Sequence, residues 1–379
     1  MIKSKYIPGL SYAYIQFVIV FSIRSIPTIM PKPSYPQPVP TPRSRPSSKD
    51  VAQLAGVSTA TVSRALNSPD ALDPDTLARV RAAAAKLRYV PHGGARSLRS
   101  QRTRMIGAVV PSVEYALYAR TTSAVHQRVS ARGYSLVLAE HHYDLDAELR
   151  VTSQLVQHGV DAFVFVGLDH HPGLFSLLDD YGRPYVLTWG VDPLRRHPSV
   201  GFDNHAAAYQ VTRHLTDLGH RRIGLLSAPL QGNDRGMARG AGMRAALADA
   251  GLELDPRHVQ YAPIHLDTAE EAMMTLISAP DRPTAVVATN DIFAVGGMVA
   301  CRKAGLRIPQ DMSITGIDNT DLGATQTPGL TSVRTPIIEI GHAAAEQLMA
   351  RLEGKDYEAF QSFPIEVVYR GSTAAPEYD

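Results

Sequence analysis

Apolar residues recur at helical spacing in three stretches near the start of the chain. Between Lys49 and Asn67 (KDVAQLAGVSTATVSRALN), Val51, Leu54 and Ala55 form one stripe and Val62, Ala65 and Leu66 a second. Gly56-Val57-Ser58 separates them, which predicts two short helices and a tight turn: Gly56 tolerates the backbone that a helix end needs, and the Ser58 hydroxyl caps the next helix. A third helix is announced by Asp73 as cap, Pro74 at the first helical position, and Leu77, Val80, Ala84 and Leu87 on one stripe. From Arg104 onward the pattern changes. The runs MIGAVVP, GYSLVLAE, DAFVFVG, PYVLTWG, RIGLLSA, TAVVATN and SITGID alternate with helical stretches such as Tyr118 to Arg132 and Glu148 to His158. They read as buried parallel strands in a doubly wound pattern repeated twice, with a last strand-like run in PIEVVYR. The expected fold is an all-α three-helix helix-turn-helix head followed by an α/β body of two parallel-sheet lobes. Ligands of such sheets bind at the carboxyl ends of the strands, here in a cleft between lobes.

The polar side of the second helix is the first candidate for function. Thr59, Ala60, Ser63, Arg64 and Asn67 lie opposite the apolar stripe, with Thr61 beside them, so they project together as a recognition helix does into the major groove. Arg64 can donate two hydrogen bonds to guanine O6 and N7, a pairing that discriminates bases by roughly 1 to 3 kcal/mol. The alternative is an ordinary helical hairpin with a solvated polar face. Charge separates the two readings. From Arg43 to Arg104 there are 12 basic residues against four acidic ones, about +8, while the whole chain carries +2. With four more cations in residues 1–42, the remainder holds about −10, so a near-neutral total conceals a basic head and an acidic body. The head is built to meet phosphates, and the body would be repelled by them.

These motifs, together with Tyr89-Val90-Pro91 and the ARSL of Ala95 to Leu98, resemble the lactose/galactose repressor family of bacterial transcription regulators, from about Ser48 to near the C-terminus. The resemblance implies that ARSL is a hinge helix that forms on operator DNA, with Leu98 inserted into the minor groove at the dimer centre. An exposed leucine between two arginines suits such a wedge; a flexible linker is the alternative, given Gly93-Gly94. Where the family has Asn after the proline, this chain has His92 and two glycines, which lowers the stability of a free hinge helix. The resemblance also implies a body like a periplasmic sugar-binding protein. The domain map that follows is residues 1–46 as an N-terminal extension, 47–92 as the DNA-binding head, 93–103 as hinge helix and linker, and 104–379 as effector-binding and dimerisation domain. Within the last, the N-lobe is expected at about 104–201 and 334–358, the C-lobe at about 202–333 and 359–379.

Residues just past strands are the expected effector contacts. Asn233 to Gly242 resembles the family's effector-binding stretch; Arg239 matches the arginine that reaches into the cleft, and Arg235 lies one turn earlier. Asn290 in ATND and Asp318 in GID match effector-contacting positions, with helix capping or bracing as their alternative role. Arg, Asn and Asp together can grip vicinal hydroxyls. Trp189 follows PYVLT, placed to stack on a sugar ring or a base, or simply to pack. Tyr115, Tyr118 and Arg120 follow the first strand.

Catalytic chemistry finds little support. Cys301 is the single cysteine, so intrachain disulfides and cysteine-cluster zinc sites are excluded, and it reads as a buried apolar residue of the run Gly297 to Ala304. His141-His142 and His170-His171 are read as surface loop residues, since no third ligand is spaced to join them. No P-loop or nucleophile elbow occurs, and Gly232 to Gly242 has the wrong form for a dinucleotide fingerprint. No cofactor or metal is expected.

Tyr6 to Ile23 is apolar and follows Lys3 and Lys5, in the manner of a short signal sequence or marginal membrane span. Before a DNA-binding head that makes little sense, and the expectation is that Met30 is the true start, followed by a disordered proline-rich stretch. The reading is a cytoplasmic homodimeric regulator, a repressor, bound to pseudo-palindromic double-stranded operator DNA, with a sugar or sugar derivative as effector and no membrane partner. The rival is a solute-binding protein for sugar uptake, which the body fits and the basic head does not.

Overall fold

A computed structural model describes residues 46–90 and 102–377, and the chain divides into two compact units that part between Pro91 and His92. The hinge segment with Leu98, the apolar N-terminal stretch and Met30 lie outside the described residues.

The first unit is three helices: α1 (Ser48–Ala55), α2 (Thr59–Asn67) and α3 (Pro74–Lys86). Each start is capped as its sequence requires. The Ser47 side chain accepts from Asp50 N while the Asp50 carboxylate takes the Ser47 N–H, a reciprocal capping box. Ser58 accepts from Thr61 N at 3.1 Å, and Asp73 from Thr76 N at 2.8 Å. Gly56, at φ 65°, ends α1 in the left-handed conformation. Val51, Ala52, Ala55, Val62, Ala65, Val80 and Ala83 form the core. Leu54 departs from expectation: it is 44% exposed, and Ala52 takes the inward position. Two small alanines let α1 approach both partners closely, and a leucine is left on the outer side.

All seven predicted runs form strands of the second unit. The N-lobe sheet contains β1 (Met105–Val110), β2 (Ser135–Glu140), β3 (Ala162–Val166), β4 (Tyr185–Thr188) and β5 (Ser199–Gly201). Between them run α4 (Ala116–Ser130), α5 (Leu145–Gln157) and α6 (Leu174–Asp180). The C-lobe follows with α7 (Asn204–Asp217), β6 (Ile223–Ser227), α8 (Asp234–Asp249), β7 (Val259–Tyr261), α9 (Leu266–Ile277) and β8 (Ala285–Ala288). It continues through α10 (Asp291–Lys303), β9 (Ser313–Asp318), α11 (Asp321–Ala324) and β10 (Thr331–Arg334). The chain then returns to the N-lobe in α12 (Ile337–Glu353), which packs on α4, and in β11 (Phe360–Ser362), before β12 (Glu366–Val368) closes the C-lobe. Strand order is β11-β5-β4-β3-β1-β2 in one sheet and β12-β10-β9-β8-β6-β7 in the other, parallel throughout except for β12 against β10.

Two expectations are corrected here. The return to the C-lobe comes after Ser362 and not at 359, because Phe360 pairs with Ser199 and Ser362 with Gly201 in the N-lobe sheet. GYSLVLAE is a strand but not a buried one: β2 lies at a sheet edge, and its Leu138 is 44% exposed.

Three close approaches fix the frame. Asp161, 3% exposed, accepts the backbone N–H groups of Thr103 (3.1 Å) and Arg104 (2.8 Å) and so clasps the chain where it enters β1. At Gly242, α8 packs against α7 so closely that a methyl there would lie 2.1 Å from the His205 carbonyl oxygen. The fully buried Ser372 stitches the tail under the C-lobe, its hydroxyl accepting from Thr331 N and donating to Ile314 O at 2.6 Å.

Candidate DNA-binding and effector sites

In the head, Thr59, Ala60 and Arg64 are exposed on α2, and Thr61 and Ser63 half-buried beside them. The Thr61 hydroxyl is tied to Ser58 Oγ at 2.9 Å, so it serves the helix start. Asn67 ends the same helix, and its side chain lies outside the described residues. Hydrophobic burial on one side of α2 and caps at its start thus present a short polar row outward, as the spacing predicts.

In the body a cleft of about 680 Å³ opens between the lobes. Its N-lobe wall is the turn after β1, including Tyr115, together with Tyr118 and the loop from His142 to Asp146 after β2; Ala228 to Gln231 after β6 and Pro263 to His265 after β7 face them. Every wall comes from the carboxyl end of a strand, as the topology requires. The cleft narrows to a floor of about 30 Å³ lined by Tyr118, Tyr143, Trp189, Arg235, Arg239 and Asn290, among others.

Four of the predicted contacts, Tyr115, Trp189, Arg239 and Asn290, line the floor, and Asp318 lies behind it against Tyr115 and Arg239. Arg239, 7% exposed, donates from Nε to Asn204 Oδ1 at 2.9 Å and from Nη1 to the Thr289 carbonyl, and its Nη2 is 3.9 Å from Asp318 Oδ1. The Tyr115 hydroxyl crosses from the N-lobe to donate to Asp318 Oδ2. Burial pushes the Asp318 carboxyl up to about 7, with Arg239 opposing and Asp291 adding to the rise. The same carboxyl drives the Tyr115 phenol well above its ordinary range, although burial is the larger cause. Asp318 itself sits at φ 127° and Asn319 at φ 53°, strained values for residues with side chains. Asp291 holds that turn in place, accepting from Thr320 N (2.6 Å), the Thr320 hydroxyl (2.9 Å) and the Ser332 hydroxyl (2.5 Å).

The other predicted contacts fall differently. Asn290 lines the floor, yet its side chain accepts from Phe293 N at 2.9 Å and caps α10, so the capping alternative describes its oxygen. Trp189 is 1% exposed and meets Tyr118 and Phe202 edge-on, packing as much as lining. Tyr118 joins Tyr143 by a hydroxyl contact of 3.1 Å on the floor, whereas Arg120 is exposed and outside the cleft lining. Arg235, which spacing ranks below Arg239, proves as deeply buried, at 4% exposed. Its Nη1 donates to Asp234 Oδ1 at 2.7 Å, and its Nη2 is buried without an acceptor.

The surface reading of the paired histidines is overturned for half of them. His141 is 3% and His170 9% exposed. His170 Nδ1 lies 2.8 Å from Glu148 Oε1 and its Nε2 3.0 Å from the Gly167 carbonyl. The buried Glu148, supplied by α5, is the partner that adjacency in sequence could not reveal. Cys301 is buried as expected, and burial pushes its thiol up to about 12. Among the described residues Asp255, His258 and Asp281 cluster, but Arg257 spans the two carboxylates at 2.6 and 2.7 Å.

A three-helix head with a polar recognition helix, and a two-lobed body whose cleft converges buried polar groups, define a DNA-binding regulator with a ligand-sensing domain. Comparison with known proteins agrees. Residues 48–92 match the model of bacterial regulatory proteins of the lacI family, and residues 212–373 that of the periplasmic binding protein-like domain. The chain is 32% identical over 335 residues to the HTH-type transcriptional repressor PurR of Pectobacterium carotovorum, a match covering 87% of this chain and 98% of that protein. It superposes on the lac repressor dimer bound to operator and the anti-inducer ONPF with TM-score 0.76 and 25% identity, over 88% and 100% of the two chains. A transcriptional regulator CelR–cellobiose complex matches with TM-score 0.64 and 30% identity, over 86% and 100%. The chain belongs to the lacI family of bacterial regulatory proteins and is a transcription regulator. Among the described residues no helix is long and apolar enough to cross a membrane.

Proposed function

We propose that this regulator is a cytoplasmic repressor and not an enzyme, binding a pseudo-palindromic operator as a homodimer through α2 and Leu98. A small hydroxyl-bearing ligand, a sugar or sugar derivative, seated in the interlobe cleft controls its operator affinity. The observation that carries the reading is the bond from Tyr115 of the N-lobe to Asp318 of the C-lobe, beside Arg239. A ligand hydroxyl that takes Asp318 competes with Tyr115, so occupancy and lobe contact are coupled. Coupling of this kind shifts affinity at a second site by about 1 to 3 kcal/mol. Half-site reading explains the dimer, because one three-helix head meets too few bases for useful specificity.

The test selects random duplexes with a chain starting at Met30 at moderate salt, then screens sugars, sugar derivatives and nucleobases against the enriched sequence. A palindromic consensus whose binding one compound releases or strengthens supports the reading. Absence of any enriched sequence, with a body that still binds a sugar, would overturn the operator reading through α2 and Leu98.

A further inference from the structure

Of the side chains that line the cleft floor, two carry buried nitrogen or oxygen atoms without a hydrogen-bond partner, Arg235 at Nη2 and Trp189 at Nε1. Both are donors. A buried donor left unpaired costs about 1 to 3 kcal/mol, more when it is charged, so these two positions are complementary to an acceptor; the unpaired Asp318 Oδ1 lies behind the lining and faces Arg239. Arg239 is more fully engaged, its Nε and Nη1 bonded to Asn204 and Thr289, with Nη2 directed toward Asp318 at 3.9 Å. The charge is also uneven. Arg235 lies in the first turn of the 16-residue α8, whose dipole adds positive potential there, although Asn233 caps the Gly236 N–H and Asp234 shares the turn. Arg235 pairs with Asp234 next to it in sequence and faces the phenols of Tyr118 and Tyr143, while the carboxyl facing Arg239 is half neutralised at neutral pH. Glu114, Asp144 and Asp146 at the cleft mouth do not oppose an anion strongly, being 74%, 55% and 78% exposed and therefore screened.

We infer that the cleft ligand carries a carboxylate, which docks on Arg235 and Trp189 at the floor. A floor of about 30 Å³ holds little more than one or two water-sized atoms, which suits the paired oxygens of a carboxylate better than a tetrahedral phosphate. Above it the hydroxyls of Tyr115, Tyr118 and Tyr143, which line the wider cleft as well, meet hydroxyl groups, so the ligand class is a sugar acid. This inference rests on the reading of the cleft as the effector site.

The experiment is calorimetric binding of D-glucuronate and D-galacturonate to the full chain. The comparison probes are their uncharged amides, the parent neutral sugars and D-glucose 6-phosphate. The Arg235→Gln and Arg235→Lys variants are tested alongside, with operator binding as the check of an intact fold. A uronate is expected to bind at least about 10-fold tighter than its amide, and Arg235→Gln to lose about 10- to 100-fold toward the uronate but little toward the amide. Arg235→Lys, which keeps the charge and loses the fork, should fall between. Equal binding of uronate, amide and neutral sugar, or a Gln variant that binds the uronate unchanged, overturns the carboxylate and leaves the sugar reading of the cleft standing. Preferential binding of the phosphate that depends on Arg235 also overturns it. Failure of every probe overturns the sugar reading as well.

Discussion

Asp318 is the residue on which the cleft turns, and its chemistry can be checked without knowing the ligand. Its carboxyl titrates near 7 in the folded chain and near 3.9 in an unfolded one, so between those values the folded state holds more protons. Its contribution therefore favours the fold at low pH and is lost as pH rises through about 7. Thermal stability followed from pH 5 to 8 should fall more in the wild type than in Asp318→Asn. The difference between the two curves removes the contribution of histidines common to both, and parallel curves would refute the assignment. Leu98→Ala belongs to the same scale: it should weaken operator binding while ligand affinity of the free protein stays within about twofold, and an unchanged operator affinity would count against the wedge. At this level the sequence was half transparent. Arg239 and Asp318 could be placed by their neighbours in the chain, but that Arg239 is engaged by Asn204 and Thr289 while Arg235 keeps an open donor depends on residues brought in from elsewhere. The same holds for His170, whose Glu148 stands 22 residues away.

At the scale of elements, caps and close packing make the sharper claims. Ser58→Ala removes the hydroxyl that accepts from Thr61 N, and such losses cost about 1 kcal/mol. Amide hydrogen exchange in α2 of the intact protein should accelerate roughly fivefold, with exchange in the body unaffected. Gly242→Ala forces a methyl onto the His205 carbonyl and should destabilise the body by about 1 to 3 kcal/mol, read as a lower urea midpoint. A midpoint equal to wild type would mean that α7 and α8 can part without cost. Long apolar runs announced β1, β3, β4, β6, β8 and β9 because burial on both faces leaves an unbroken signature; β2 has an apolar run too, although it lies half-exposed at a sheet edge. β5, β7, β10 and β11 are short and lack the unbroken apolar run that marks the equally short β4 and β8, and their pairing comes from neighbours already in the sheet. Leu54 misled in the opposite way: a large apolar residue at helical spacing suggested core, but the inward arc of α1 belongs to smaller alanines.

For the whole molecule, the division into a basic head and an acidic body has a measurable outcome. Operator affinity should fall steeply between 50 and 200 mM salt, with a log–log slope set by the phosphates the head neutralises, whereas ligand affinity at the buried floor should change far less. A flat salt response of operator binding would mean that the basic residues do not face the duplex. The two-lobe plan was legible from alternation of strand and helix; the order of its crossings was not, because β11 returns to the N-lobe sheet for only three residues. That late return governs how the protein emerges from the ribosome. β5 is made some 160 residues before the β11 that covers its edge, and the C-lobe waits for Ser372 to close beneath β9 and β10. The N-lobe sheet is unfinished until Ser362 has been made and the C-lobe until Ser372, so most of the body leaves the exit tunnel with an open sheet edge, and a nonsense truncation between those two residues leaves the N-lobe sheet whole and the C-lobe incomplete.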